Sequence, residues 1–469
     1  MLRSVAVLVG GTVLAQGLVI LASPLMTRLY DPQDFGVVTM YGSLLTILTV
    51  LVTGRYEMAL PLPEDDRSAA NLVGVSLLLL AVTSLASFVG VGVFGEQIAA
   101  WLNAPGFQPY LWWLPVSLLG AGIYQVFNYW AIRKKAFGRI ARTKMSQSIG
   151  QVSVQATLGL LHHGPLGLVL GDVIGRVGGA TTFVTQAWRE DREILEKVSV
   201  RDMIQVAGRY VRFPLITSWS GLLNSASMQV PILVMGSLFD NAVVGWFGLS
   251  YRVLQTPMTF VGQAVSQVFF SHASEARRQG NLRRASWEAF RHLVSLGMAP
   301  IMLIGISAVP VFGFVFGEGW ETAGVYAQWL SPWLFLVFVA SPLSSLTLVL
   351  EHQQVELAFQ GTILVGRVLA IYAGWRLGSP AISIGLFCAI SALLWFIYML
   401  WLVKASGNML SEALLFLVRE LAMAVLVVLP VLAARVLDIS LPAFLGTCVV
   451  SGLLVVWRAM TRLRRGRVA

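Results

Sequence analysis

Fourteen long apolar runs follow one another along the chain, at about residues 5–27, 36–59, 70–94, 110–131, 146–162, 166–187, 211–238, 242–269, 293–316, 324–350, 357–376, 380–403, 414–434 and 441–460. Nearly all are long enough to cross a hydrocarbon core about 30 Å thick as a helix. Inside lipid the backbone must satisfy its own polar groups, so such runs fold as helices. The chain therefore reads as an all-α polytopic membrane protein with about 14 transmembrane helices. Only 12% of its 469 residues are charged, against about a quarter in soluble domains, which excludes an ordinary globule.

Charge supplies the orientation. The net charge of +10 would suggest nucleic acid in a soluble protein, but here the basic residues fall in the short segments between apolar runs, where they set topology. With the N-terminus inside, the inner loops carry Arg133 to Lys144, Arg189 to Arg212, Arg277 to Arg291 and Arg458 to Arg467. With Arg3 these hold 23 of the 33 Lys and Arg, against Arg28, Arg376 and Arg435 on the other side. Both termini are therefore expected in the cytoplasm, and residues 5–27 read as a retained span, since no small-residue cleavage site ends them.

A duplication organises the spans. Leu29 to Gly36 reads LYDPQDFG and Leu238 to Gly245 reads LFDNAVVG, matching at Leu, an aromatic, Asp and Gly. Each copy joins the first two helices of a half at the outer surface. Phe94-Gly95-Glu96 and Phe316-Gly317-Glu318 end the third helix of each half in the same way. Corresponding helices are six apart, so the repeat is parallel. The expected organisation is two parallel-repeat six-helix lobes, at 1–187 and 213–404. An inner-surface linker at 188–212 joins them, and 405–469 forms an extra helix pair with a basic tail.

Chemistry-bearing motifs are few. Gly90 to Gly95 fits GxGxxG but lies in an apolar helix with no strand before it, which favours close helix packing over a dinucleotide. Cys388 and Cys448 lie far apart in apolar runs, and His162 and His163 have no ligand at metal spacing, so no metal or cofactor is expected. Glu64, Asp65 and Asp66 read as a solvated corner. No loop is much longer than about twenty-five residues, which leaves no room for a catalytic domain, so the chain reads as no enzyme.

The informative residues are charges within spans, each costing about 2.5–3.5 kcal/mol at a helix centre. Arg28, Arg55 and Arg252 lie on the first, second and eighth helices with no obvious partner. Two lobes meeting face to face would line the space between them with guanidinium groups, which bind phosphate bidentately; snorkelling or internal pairing is the alternative. Arg212 begins the seventh helix, and Arg367 either lines the cavity or caps a neighbour. Asp172 and Arg176 are four apart and can neutralise each other. Asn224 and Gln229 precede Pro231, where a bend could move a gate. Glu57 and Asp172 are the carboxylates placed to carry a coupling ion.

The segments ASPLMTRLYDPQDFGVVTMYGSL (22–44), RYEMALPLPEDDRSAANL (55–72), FDNAVVGWFGLSYRVLQTPMTFVGQAVSQVFF (239–270) and FGEGWETAGVYAQWLSP (316–332) resemble bacterial O-antigen and exopolysaccharide (Wzx-like) flippases. These belong to the multidrug/oligosaccharidyl-lipid/polysaccharide exporter superfamily. The resemblance implies a V-shaped pair of lobes around a cationic cavity and a substrate of undecaprenyl-pyrophosphate-linked oligosaccharide. It implies that Arg28, Arg55 and Arg252 meet the headgroup, with Arg212 a weaker candidate. It also implies alternating access from the cytoplasmic to the periplasmic leaflet of a bacterial inner membrane. The partners expected are the lipid-linked oligosaccharide, membrane lipids and other polysaccharide-assembly membrane proteins, with the chain a monomer and no nucleic acid bound. The rival readings are a small-molecule antiporter of the same superfamily, which would favour acidic residues in its cavity, and a glycan polymerase or ligase, which would carry a large outer loop.

Overall fold

A computed structural model of the chain describes residues 2–437 and 439–466, leaving aside the side chains of 2–9, 105, several positions between 257 and 271, 459, 460 and 462–466. Fourteen helices of eighteen residues or more account for the apolar runs. They are α1 (Leu2–Leu29), α2 (Pro32–Thr49), α3 (Asp66–Trp101), α4 (Leu114–Arg133), α5 (Phe137–Leu160), α6 (Pro165–Leu195) and α7 (Ser218–Leu238). The rest are α8 (Asn241–Arg278), α9 (Leu282–Phe316), α10 (Glu321–Leu343), α11 (Gln353–Arg376), α12 (Pro380–Ala405), α13 (Leu410–Val436) and α14 (Leu441–Gly466). No strand occurs among the described residues. Eleven stretches among them are long and apolar enough to cross a membrane. α2, α5 and α8 fall outside that set; α5 carries Arg139, Arg142 and Lys144, and α8 carries Arg252 and Gln255.

Local chemistry sets the ends. Pro32, Pro165 and Pro380 open α2, α6 and α12, where a missing N–H costs nothing and φ is already helical. Asp65 caps α3 by accepting from the Ser68 backbone N–H at 2.6 Å, satisfying one orphan donor of the first turn. At about 1.5 Å per residue the 36 residues of α3 and 38 of α8 exceed the bilayer core, so both run on past the headgroups.

One run departs from its expected length. The second was expected to be helical to residue 59, but α2 stops at Thr49. Gly54 and Arg55 both take left-handed backbone, φ 59° and 61°, a pair that ends a helix. A short 3-10 turn, Tyr56–Ala59, follows.

The chain forms two compact units, Met1–Gly245 and Trp246–Ala469. In the first, α5 packs on α1 and α6, α4 on α3 and α6, and α2 on α6 and α7. A core around Trp130, Leu72, Val126 and Phe183 closes one end of it. There α6 breaks its helical backbone at Asp191, whose carboxylate accepts from Trp130 Nε1 at 3.0 Å and Arg139 Nη1 at 2.9 Å. Arg133 donates to the Leu60 and Pro63 carbonyls and pairs with Asp66 at 3.0 Å. A short helix, Val200–Arg209, is bound to α3 by the Arg67–Asp202 ion pair at 2.8 Å and by the Ser199 N–H donating to Asn71 Oδ1 at 2.9 Å. Val206 is its buried residue, while Val200 and Ile204 stand exposed beside Arg201 and Arg209, the make-up of a segment lying on a membrane surface.

In the second unit α10 packs against α9 and α12, and α11 against α12. α8 is tied to α10 by Ser250 Oγ donating to the Ala323 carbonyl at 2.6 Å. The last two helices pack on α9. Their attachment answers a specific need: Pro310 lacks an N–H, which frees the Ile306 carbonyl four residues earlier. Arg435 of α13 donates Nη1 to that oxygen at 2.7 Å. Between α13 and α14, Arg458 meets Glu420 at 2.7 Å, with the Glu420 carboxylate buried.

Replacing Arg435 with Met leaves the freed carbonyl without its donor, a loss of about 1–3 kcal/mol. The expected outcome is faster amide hydrogen exchange in α9 beyond Gly305 and in the C-terminal half of α13, with α1 to α6 unchanged, read by mass spectrometry on the protein in detergent.

Candidate functional site

Arg55 is the most constrained of the candidate residues. The left-handed turn after α2 carries its side chain back across α7, and a Cβ placed on Gly221 would lie 2.4 Å from Arg55 Nη2. Gly221 is thus the seat of the guanidinium. Nη1 approaches Met58 Sδ at 3.7 Å, and Nε is buried without a hydrogen-bond partner. Glu57 follows two residues later, 1% exposed, and accepts from Thr53 Oγ1 at 2.5 Å. The glutamate is thus bonded within its own turn, two residues from the Arg55 guanidinium.

The other candidates of the first unit lie elsewhere. Arg28 is exposed in the last turn of α1, with Nη1 3.3 Å from the Pro24 carbonyl. Asp172 and Arg176 on α6 form a bidentate pair, Nε to Oδ2 at 2.7 Å and Nη2 to Oδ1 at 3.1 Å. Arg212 is exposed just before a π-helical turn, Phe213–Thr217, that leads into α7. On α7, Asn224 is exposed, Gln229 half-buried and Pro231 buried. The helix runs through Pro231 to Leu238 as one element. The structure brings Arg55 and Glu57 into one turn and Asp172 to Arg176, and leaves Arg28 and Arg212 at the unit's surface.

In the second unit Arg252 is exposed on α8, and its carbonyl accepts from Thr256 Oγ1 at 2.7 Å. Arg367 of α11 is 1% exposed. Its guanidinium lies 4.6 Å from the ring centre of Trp333 and 5.3 Å from that of Phe387, and Nε donates to Ser391 Oγ at 3.0 Å. Tyr251 stacks on Trp333 at 5.7 Å. Two aromatic faces offer a cation part of the stabilisation it loses with water. The neighbours that give Arg55 and Arg367 their settings, Gly221, Trp333, Phe387 and Ser391, were not among the residues the sequence singled out. They sit on other helices, and each alone reads as ordinary packing.

A bundle of long helices, eleven stretches of which are long and apolar enough to cross a membrane, defines a polytopic helical membrane protein. Residues 25–324 match the family described as polysaccharide biosynthesis protein, and the chain belongs to that family. No curated protein matches it. Among solved structures it is similar to one described as lipid II flippase MurJ in an inward closed conformation, with a TM-score of 0.72 and 12% identity over 98% of this chain and 99% of that one. It is similar to an inward-facing multidrug resistance MATE transporter of the MOP superfamily, TM-score 0.65 and 17% identity over 84% and 95% of the two chains. A MOP superfamily transporter from Pyrococcus furiosus, described as having a binding pocket of reverse polarity, gives 0.58 and 16% over 87% and 95%. At such identities the likeness is one of fold.

Arg367 is buried, bonds Ser391 and lies against two aromatic faces, so removing it alone strands those neighbours. Arg367→Met is expected to lower stability by about 1–3 kcal/mol, read in thermal melts followed by Trp fluorescence.

Proposed function

We propose that this protein is a flippase, and no enzyme, that carries undecaprenyl-pyrophosphate-linked oligosaccharide from the cytoplasmic to the periplasmic leaflet of a bacterial inner membrane by alternating access. The observation that carries the reading is Arg55: a guanidinium whose Nε is buried without a hydrogen-bond partner, seated on Gly221, in a chain of the polysaccharide biosynthesis family. A pyrophosphate oxygen supplies the acceptor that such an edge lacks. In this reading Arg28 and Arg252 meet the headgroup on its way, Arg212 receives it at the inner surface, and Arg367 adds positive potential from within the second unit. The lipid tail stays in the bilayer while the glycan crosses in water between two six-helix lobes, 1–187 and 213–404, joined at 188–212.

The working unit is a monomer with both termini in the cytoplasm, and other polysaccharide-assembly membrane proteins supply and take up the lipid-linked oligosaccharide. An inside-negative membrane potential favours outward movement of an anion by about 2.3 kcal/mol per charge per 100 mV, so the pyrophosphate itself can couple transport to the potential. Asp172 is already neutralised by Arg176 and Glu57 is bonded to Thr53, which weighs against a cation-binding antiporter.

The test is transfer of a labelled undecaprenyl-pyrophosphate oligosaccharide across proteoliposomes holding the purified protein. Arg55→Ala and Arg252→Ala are each expected to lower the rate at least about tenfold, the equivalent of about 1.4 kcal/mol. Arg55→Lys, which keeps the charge but loses the planar fork, should fall between. If wild type moves no such lipid, or Arg55→Ala moves it at the wild-type rate, the reading fails.

A further inference from the structure

Residues 197–212 carry four basic side chains, Lys197, Arg201, Arg209 and Arg212, against one acidic, Asp202, and Asp202 is taken by Arg67 of α3. All four cations are exposed, and none enters an ion pair among the described residues. Several cations of the other basic stretches are drawn to carboxylates: Arg133 and Lys134 reach Asp66, Arg139 reaches Asp191, and Arg284 reaches Glu288. Beside the four stand apolar side chains in the open, Val200 and Ile204 one turn apart on the short helix and Val211 just past it. A segment in water gains nothing by exposing branched apolar side chains next to unpaired guanidinium groups. One at headgroup level uses both, turning the first toward acyl chains and the second toward phosphates.

The other side of the helix is built into the first unit. Val198 Cγ1 and Met203 Sδ lie 2.9 Å and 3.2 Å from where a Cβ on Gly74 of α3 would be, and Val206 shares a buried core with Tyr56. The last four carbonyls of a helix have no partner within it. Here the Ala207 carbonyl, in the last turn, accepts from Tyr56 Oη at 3.0 Å. Tyr56 follows Arg55 directly and opens the 3-10 turn. Arg55 holds left-handed backbone, φ 61°, which a residue with a side chain keeps only while its surroundings fix it. On one side of Arg55 the chain runs back through Gly54, itself left-handed; on the other it is fastened by a hydroxyl to the helix. The place of the helix and the place of the guanidinium are thus linked through a single tyrosine.

We propose that residues 197–212 are a docking site for anionic phospholipid headgroups, and that the docked helix, through the bond from Tyr56 to Ala207, holds Arg55 on Gly221. The effect on transport rests on the flippase reading; the lipid preference and its effect on the turn do not. The occupant is a lipid surface because apolar and cationic side chains are exposed side by side. It is an acidic lipid because four cations without a carboxylate partner draw phosphates that carry net charge, whereas a zwitterionic headgroup brings its own ammonium with each phosphate. The attraction is screened as salt rises. Acidic lipid is then a condition for the headgroup site being set: where it is scarce the helix lifts, Tyr56 loses its acceptor and Arg55 relaxes out of the left-handed region.

The experiment places an environment-sensitive dye on Ile204→Cys, in full-length protein with Cys388 and Cys448 replaced by serine. Nanodiscs of phosphatidylcholine are compared with nanodiscs of phosphatidylcholine and phosphatidylglycerol in equal parts. Amide hydrogen exchange of residues 54–60 is followed in the same two lipids with Ile204 intact. Phosphatidylglycerol is expected to shift the dye emission to the blue and to slow exchange about fivefold or more, the share of one basic side chain at an acidic surface. Lys197→Gln, Arg201→Gln and Arg209→Gln together are expected to abolish both responses. Tyr56→Phe, which keeps the ring and loses the hydroxyl, is expected to keep the dye response and lose the exchange response. In vesicles of the same two lipids, wild type is expected to transfer labelled lipid-linked oligosaccharide faster with phosphatidylglycerol, and Tyr56→Phe at one rate in both. Dye emission that ignores phosphatidylglycerol overturns the docking site. Exchange that ignores it, or that responds equally in Tyr56→Phe, overturns the link to Arg55, and equal transfer by wild type in both lipids overturns the effect on transport. If dye and exchange respond while wild type transfers no such lipid in either composition, the docking site and its link stand and the flippase reading falls.

Discussion

A backbone in hydrocarbon has no water to bond, and that constraint shapes this molecule more than any side-chain attraction. It makes every long apolar run a helix. It also makes each interruption a debt that a neighbour must settle. The clearest instance is Pro310: the carbonyl it frees on Ile306 is taken by Arg435, from a helix more than a hundred residues later. The last two helices are thereby fastened to α9 through a polar bond at a point where the bundle needed a donor. In the first unit Arg133 does the same for the carbonyls of Leu60 and Pro63, where the chain has left α2 and has not yet entered α3. Guanidinium groups serve the backbone here as often as they serve carboxylates.

This double use explains why the arginines could be counted in the sequence but not sorted. The fourteen helices were legible because apolar length shows in one dimension. Asp172 and Arg176 were legible because a helix brings residues four apart onto one face. The end of α2 was not, since Gly54 sits inside an apolar run and nothing local announces that Arg55 joins it in the left-handed region. Its seat on Gly221 and the aromatic faces around Arg367 lie farther still from sequence reasoning, because each depends on which helices become neighbours. The repeated glycine of the corners was visible as a match; that the copies meet through it could be seen only with the helices packed.

The charged groups fall into distinct settings. Some are neutralised within one helix, as on α6, or between two, as where Arg458 meets the buried Glu420. Others tie elements together, as where the Arg67–Asp202 pair holds the helix Val200–Arg209 on α3. Arg55 rests on a glycine with its Nε buried and unbonded, and Arg367 lies between aromatic rings with its Nε bonded to Ser391. A fold that neutralises so many charges and holds two cations in settings built from glycine and aromatic rings concentrates its positive potential at a few places.

The two repeated corners meet: a Cβ on Gly36 would lie 1.9 Å from the Asn241 carbonyl oxygen, and one on Gly245 would lie 1.8 Å from the Pro32 carbonyl oxygen. That contact has a bearing on how such a chain could have arisen. An interface in which residue i meets j and j meets i is the kind made by a symmetric homodimer. Two half-length chains related by a two-fold axis along the membrane normal could form it unaided, and joining them end to end would leave it unaltered. The rest of each copy would then be free to diverge, one keeping Arg28 where the other has Ser237, so long as the meeting point retained its two glycines. In this chain Gly36 and Gly245 keep the start of α2 and the start of α8 so close that neither position admits a side chain.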